Sequence, residues 1–335
     1  MSRQDRLTAD LERGFTALEE GRIEDAVAAA ERVQRIDRKN PGVMALSAAC
    51  ADAQGEYEQA LALYTELINL TPDDPMPRIC AARITLRDMG DAEAALNLVD
   101  DAFDYIDEER DLIEGIMIRS EALIALDDLE EARSALAELS SSVIDDPVVA
   151  LDLGELALAA EDTSAAGKWV EIALEEKELE ADALHLLGRI HELRDERSEM
   201  VTAWKKVRAL DLAGPEPDVS ISDDEVERIA LEALAQLPEA VREKLQKVPI
   251  LIDSVPSDAQ IEEGLDPRML GLFSGSPAAD DLAPVVTNIL LFKRNLERSV
   301  SNLDDLADEI AITVLHETAH YFGLDDDDLA KIGLD

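Results

Sequence analysis

A repeat with a period near 34 residues constrains the fold of this chain more than any other feature. A turn residue stands five positions before an alanine in each of five segments, which are Gly21…Ala26, Gly55…Ala60, Gly90…Ala95, Asp127…Ala132 and Glu161…Ala166. Working back from these pairs, units begin near residues 7, 41, 76, 113, 147 and 181, at intervals of 34, 35, 37, 34 and 34. Each unit has room for two amphipathic helices, so the first two-thirds of the chain is predicted to be an array of stacked helix pairs.

The repeat resembles the tetratricopeptide repeat (TPR) family. Unit 41–74 matches best, with Gly55, Tyr57, Ala60, Tyr64 and Pro72 in place. Other units depart from the pattern, since unit four has Asp127 for the turn glycine and unit six has Met200 for the alanine. The resemblance implies an α-solenoid whose concave face recruits a protein or peptide. Trp169 and Trp204 occupy one position in units five and six and are predicted to pack in the core.

A second region with a different pattern follows the repeats. The segment Gly214-Pro215-Glu216-Pro217 cannot continue a helix and indicates a linker. Beyond it, Ser222 and Glu225 predict a helix start with a capping box. Strands are predicted at 248–253, 270–273 and 287–292, and a last helix from about 301 to 322. We therefore expect a mainly α protein: TPR-like repeats over 1–214, a linker at 215–220, and a small α+β domain over 221–335.

Charge excludes several classes of function. The chain has 76 Asp and Glu against 31 Lys and Arg, a net charge of −45. Such an excess repels phosphate backbones and anionic lipid surfaces, so neither nucleic acid nor a membrane is an expected partner. A basic or extended peptide is the expected guest instead. Two cysteines in helical patterns, no 18-residue apolar run and no apolar segment near the N-terminus predict a cytoplasmic protein.

The predicted last helix contains the string His316-Glu317-Thr318-Ala319-His320, which is HExxH. Residues four apart project from one face of a helix, so His316 and His320 can hold one metal ion. Glu317, beside the first histidine, is placed to act as general base towards a metal-bound water. The pattern predicts zinc and a hydrolytic reaction.

A third metal ligand is expected just after this helix. Gly323 would let the chain turn back and bring Asp326 to the metal, completing HExxHxxGxxD. Fifteen residues follow His320 in this sequence, so the ligand is expected within Asp325–Asp328 or on a distant segment. Asp325, Asp327 and Asp328 stay open as alternatives to Asp326.

The stretch from Ile221 to Asp335 resembles the minimal zincin-like metallopeptidase family. The matching stretches are 222–238, 248–252, 270–275, 289–294 and 314–329. The resemblance implies a small sheet packed on the active-site helix, with His316, His320 and Asp326 as zinc ligands and Glu317 as base. Tyr321 departs from the family, which often has a further histidine there.

Two functions follow from these patterns. The first is a zinc-dependent peptidase, in which water activated by Glu317 attacks a peptide carbonyl while the repeats recruit a partner. Strand 270–273 or strand 287–292 would pair with an extended substrate by edge addition. The alternative is a TPR adaptor whose zincin-like domain binds metal for stability and has little or no turnover.

Overall fold

The computed structural model describes residues 3–141, 144–237, 239–245, 248–276 and 285–321. These residues divide into two compact units, Met1–Glu176 and Lys177–Asp335. No described helix is both long enough and apolar enough to cross a membrane.

The first unit consists of five helix pairs that follow the predicted repeat. The second, third and fifth pairs begin at or beside the predicted starts 41, 76 and 147, and the others begin within four residues of theirs. The pairs are α1 (Arg3–Glu19) and α2 (Ile23–Asp37), α3 (Pro41–Ala53) and α4 (Tyr57–Leu70), α5 (Met76–Arg87) and α6 (Ala92–Phe103), α7 (Glu109–Ala125) and α8 (Leu129–Ala137), and α9 (Pro147–Ala159) and α10 (Thr163–Ala173).

The predicted turn residues have a left-handed backbone in every repeat. Gly21, Gly55 and Gly90 have φ between 68° and 74°. Asp127 and Glu161 occupy the same turn with φ of 62° and 60°, although they carry a Cβ that disfavours this region. The turn position is therefore fixed by the architecture of the helix pair, and not by glycine alone.

Alanines dominate the core of the first unit, because small side chains let paired helices approach closely. Ala26, Ala60, Ala95, Ala132 and Ala166, the five alanines of the repeat, are fully buried. First helices of neighbouring pairs also contact each other: α1 packs against α3, α5 against α7, and α7 against α9. Ion pairs join them, with Arg83 bound to Asp52 and Arg87 to Glu121.

The second unit begins with the sixth pair, α11 (Glu180–Leu193) and α12 (Arg197–Ala213). Trp204 of α12 is 1% exposed and lies against Gly188 of α11, whereas Trp169 is half-buried. Packing groups this pair with the residues that follow it and not with the other five pairs. The predicted boundary at residue 214 stays a prediction, because it rests on sequence pattern and not on these contacts.

A small sheet and its covering helices make up the rest of the second unit. Strands β1 (Ile250–Asp253), β2 (Gly271–Ser276) and β3 (Val285–Phe292) have the order β1-β3-β2, with β1 parallel and β2 antiparallel to β3. The helices are α13 (Asp223–Gln236), α14 (Glu239–Leu245), α15 (Asp258–Glu263), α16 (Lys293–Arg298) and α17 (Leu303–Tyr321). Ile289 and Leu291 of β3 share a buried core with Val226 and Ala230 of α13 and with α17.

Two helices that follow the sixth pair, α13 and α15, begin at a serine side-chain cap. The Ser222 hydroxyl accepts a hydrogen bond from the Glu225 amide at 3.2 Å, so the predicted cap of α13 is present. The Glu225 carboxylate is paired with Arg228. A complete capping box occurs at Ser257 and Gln260, where α15 begins.

Candidate metal centre

Helix α17 places the predicted histidines in one unbroken element. The Asn302 side chain caps it by accepting a hydrogen bond from the Asp305 amide at 2.9 Å, and acids in its first turn favour the helix dipole. The helix continues for 19 residues to Tyr321. His316, Glu317 and His320 therefore lie within two turns of a single helix, as the sequence predicted.

One face of α17 is anchored in the domain core. Leu306, Ile310 and Val314, at four-residue spacing, are at most 1% exposed. Thr318 is also buried, and its hydroxyl donates to the Val314 carbonyl at 2.6 Å. This face packs against α13 and β2, so the backbone that carries the predicted ligands is held by the core.

The contact between α17 and β2 is unusually close at Gly271. A Cβ placed on Gly271 would lie 2.8 Å from the Thr313 methyl group and 3.3 Å from the Leu290 carbonyl oxygen. Only glycine therefore allows the strand to come this near to the helix. Since Thr313 stands one turn before His316, β2 begins about one helical turn from the first predicted ligand.

The opposite face of α17 reaches solvent. Asp308 and Ile312 are exposed, and His316, four residues after Ile312, is half-buried. His316 therefore lies at the border between the core and solvent. Imidazole nitrogen is a normal zinc ligand, so the described part of the donor set fits zinc.

The remaining members of the predicted site lie outside the described residues. This holds for the side chains of Glu317 and His320 and for the whole segment with Asp326 and its alternatives, Asp325, Asp327 and Asp328. Among the described side chains, no group of three His, Cys, Asp or Glu is arranged to hold a metal. The ligand set of His316, His320 and Asp326 stays a prediction.

The order of strands in the sheet shows which of the two strands predicted to bind a substrate lies at an edge of the described sheet. β3 lies between β1 and β2, so its ladder groups are already paired on both sides. The expectation that 287–292 offers an edge is therefore wrong. β2 pairs with β3 on one side, and no described strand borders its other side.

His185 has a partner that the sequence did not reveal. Its position in the sequence indicates only an ordinary residue of the sixth repeat. In the structure its Nε2 donates to Asp266 Oδ2 at 2.8 Å, across 81 positions of sequence. Although burial opposes ionisation, the hydrogen bond and charge of His185 hold the pKa of Asp266 below its usual value. No local pattern could have indicated this contact.

Comparisons with known proteins agree with both parts of the chain. Residues 245–334 match the zincin-like metallopeptidase family, and residues 17–82 match the tetratricopeptide repeat. No match was found among the curated proteins.

Solved structures of repeat proteins share the helical architecture. PilF of Pseudomonas aeruginosa is 17% identical with a TM-score of 0.52, over 62% of this chain and 93% of that chain. PilW, a type IV pilus biogenesis factor, is 13% identical with a TM-score of 0.53, over 61% and 92%. The structure of the Cut9–Hcn1 hetero-tetramer is 13% identical with a TM-score of 0.50, over 61% of this chain and 40% of that chain. At these levels of sequence identity, the similarity to these structures shows a shared fold alone. The chain therefore consists of a TPR-like helical solenoid followed by a C-terminal region that matches the zincin-like metallopeptidase family.

Proposed function

We propose that this protein is a zinc-dependent metallopeptidase whose repeats recruit a protein or peptide partner. His316, His320 and Asp326 would hold the zinc ion, and Glu317 would be the catalytic base. The observation that carries the proposal is the placement of the whole HExxH string on α17, a single helix anchored in the core. The match of residues 245–334 to the zincin-like metallopeptidase family supports the same function.

The protein's own residues have distinct tasks in this proposal. When bound, zinc supplies a Lewis acid that makes water acidic near neutral pH. The Glu317 carboxylate would take the proton of the attacking water and transfer it to the nitrogen of the leaving amine. Thr318, buried and bonded to the Val314 carbonyl, fixes the helix directly after Glu317.

β2, which lies at one end of the described strand order, is the proposed seat of the scissile peptide. An extended peptide can pair with an unpaired strand edge through main-chain hydrogen bonds. β2 starts against Thr313, which lies three residues before His316 and four before Glu317. A peptide on this edge would therefore run close to the helix that carries the base.

The first helices of the pairs in the first unit are the proposed recruiting surface. Helix α7 carries four acidic residues and two arginines, and α9 carries two acidic residues and no basic one. Burial raises the pKa of Asp111, reinforced by Glu108, and burial also raises the pKa of Asp152 although Arg87 opposes this shift. A lysine or arginine from a partner would stabilise the ionised form of these carboxylates, so we propose a basic or extended peptide as the guest.

The net charge and the free cysteines support the expectations about binding partners and about a cytoplasmic location. A net charge of −45 disfavours nucleic acid and anionic lipid as partners. Cys50 and Cys80 are free, which agrees with a reducing cytoplasm.

A comparison of two matched variants tests the proposed activity. The wild type, Glu317→Gln and Glu309→Gln are loaded with zinc and given fluorogenic peptide libraries, one rich in Lys and Arg and the other in Asp and Glu. Glu309 lies two turns before Glu317 on the same helix, so its variant controls for loss of a helix carboxylate. We expect Glu317→Gln to retain zinc and lose at least about 100-fold in cleavage of the basic library, because a general base contributes about that much.

Other results would contradict the proposal in separate ways. Undiminished cleavage by Glu317→Gln would contradict the role of Glu317 as base. A zinc-loaded wild type that cleaves nothing, yet binds the basic peptides through its repeats, would contradict the peptidase and favour the adaptor.

A further inference from the structure

We propose that Arg268 is a positioning residue for peptide hydrolysis: the sixth helix pair, acting through Arg268, holds the edge strand β2 in place beside α17. The inference rests on the proposed function, because β2 is the proposed seat of the peptide. It gives the sixth pair a task in the catalytic unit that differs from the recruiting task of the first five.

Both helices of the sixth pair bind the Arg268 guanidinium. Asp211 of α12 accepts its Nε–H at 3.0 Å, and Asp182 of α11 accepts from Nη1 at 2.6 Å. The Asp211 side chain is only 5% exposed and also pairs with Arg298 of α16 at 2.8 Å. Although burial favours the neutral form of Arg268, the hydrogen bonds and charges of the two aspartates raise its pKa above the usual value.

The backbone on either side of Arg268 is also fixed. The buried Asn295 side chain donates to the Pro267 carbonyl at 2.9 Å and to the Met269 carbonyl at 2.8 Å. The Phe292 amide donates to the Leu270 carbonyl at 2.8 Å. Segment 267–270 is thus clamped by its side chain to α11 and α12 and by its backbone to α16 and the end of β3.

This segment leads directly into the strand that touches α17. β2 begins at Gly271, where a Cβ would meet Thr313 at 2.8 Å. Close-packed interiors transmit displacements of a few tenths of an ångström to their neighbours. If Arg268 were released, the start of β2 would therefore lose its fixed distance from the helix turn that precedes His316.

Other contacts hold the sixth pair to the domain without involving β2. Arg208 of α12 donates to the Pro256 carbonyl at 2.7 Å and pairs with Asp258 at 3.2 Å. Trp204 packs against Ile261 of α15. Since a buried ion pair is often a weak source of stability, the Arg268 cluster is better explained as fixing position than as holding the pair in place.

The test compares Arg268→Ala with Arg208→Ala in the full chain. Arg208→Ala removes an ionic link between α12 and the domain that does not touch the β2 segment. Hydrogen exchange is followed at the amides of 269–273, and kcat and KM are measured with a fluorogenic peptide from the Lys- and Arg-rich library. We expect exchange at these amides to become at least tenfold faster in Arg268→Ala and to stay within about twofold of wild type in Arg208→Ala.

The kinetic constants separate positioning from general damage. A released strand is ordered only part of the time, so the apparent affinity falls in proportion to the ordered fraction. We expect KM to rise about tenfold in Arg268→Ala while kcat changes by less than about threefold and zinc content stays the same. Asp182→Asn, which leaves Asp211 paired with both arginines, should give the same pattern at a smaller size.

Each outcome decides one question. Equal exchange and equal KM in Arg268→Ala and Arg208→Ala would overturn the positioning role. If Arg268→Ala fails to fold, Asp182→Asn decides by the same two readouts. If the wild type cleaves none of the Lys- and Arg-rich peptides, the proposed function is contradicted, and hydrogen exchange alone still decides whether Arg268 orders β2.

Discussion

Replacement of Gly188 by alanine tests the packing between α11 and α12. A Cβ at this position would lie 2.1 Å from Nε1 and 2.2 Å from Cδ1 of Trp204. The indole would have to move by roughly 1.3 Å to regain an ordinary contact of 3.4 Å, although it is 1% exposed and donates to the His185 carbonyl. Overpacking of this kind costs about 1–3 kcal/mol, and loss of the indole hydrogen bond costs about 1 kcal/mol more.

Helix propensity acts in the opposite direction. Alanine is favoured over glycine in a helix interior by about 1 kcal/mol. The expected net loss is therefore about 2 kcal/mol in the free energy of unfolding of the second unit. For a unit of this size, that loss lowers Tm by roughly 4–8 °C.

Thermal denaturation followed by differential scanning calorimetry measures this effect. Gly115→Ala is the matched control, since Gly115 is also a buried glycine of a first helix. Its nearest new neighbour is the end of the Ile106 side chain at 3.3 Å, so the change should be neutral or stabilising. In a Trp204→Leu background, Gly188→Ala should cost less than about 0.5 kcal/mol, because the clashing ring is gone. Equal Tm shifts for the two glycine variants, or an undiminished cost in that background, would refute this explanation.

Three further predictions follow from the described residues. Burial raises the pKa of Cys50 and of Cys80 to about 11, so both thiols should react with Ellman's reagent at pH 8 at least tenfold more slowly in the native protein than in guanidinium; equal rates would contradict their burial. Because the pKa of Asp266 is lower in the folded protein than the usual Asp value of about 3.9, its ionised carboxylate stabilises the fold above about pH 3.9, and this stability is lost as the pH falls through the folded-state pKa. Asp266→Asn should therefore be less stable than wild type at pH 7 by about 1–2 kcal/mol, and the difference in stability should become smaller in thermal melts at acid pH. Glu161→Gly should stabilise the first unit by about 0.5–1 kcal/mol in a urea titration, because φ is 60° there; a loss of stability would show that the Glu161 side chain makes a compensating contact.

The helical repeats could be predicted because their signal is local. A turn residue and an alanine five positions later fix the start of each second helix, and the structure has helices at those places. The pattern also located the left-handed turns at Asp127 and Glu161, where glycine is missing. It did not identify Asp195, which has the same conformation in the sixth pair with φ of 57°.

The C-terminal region was predictable at the level of elements and less so at the level of contacts. The HExxH string and its spacing located α17, and three apolar runs located the strands. Strand order could not be read from the sequence, so the central position of β3 was missed. The Arg268 cluster joins residues 57 and 86 positions apart, and no periodic pattern reports such pairs.

The zinc content of the purified protein tests the central claim most directly. Elemental analysis of the wild type is set beside His316→Ala and the control His191→Ala, whose histidine lies on α11 and bonds to Glu196. We expect about one zinc per chain in the wild type and in His191→Ala, and about tenfold or greater loss in His316→Ala, because one of the proposed zinc ligands has been removed. A wild type that holds no zinc after reconstitution, or a His316→Ala variant that keeps a full equivalent, would contradict the proposed metal centre.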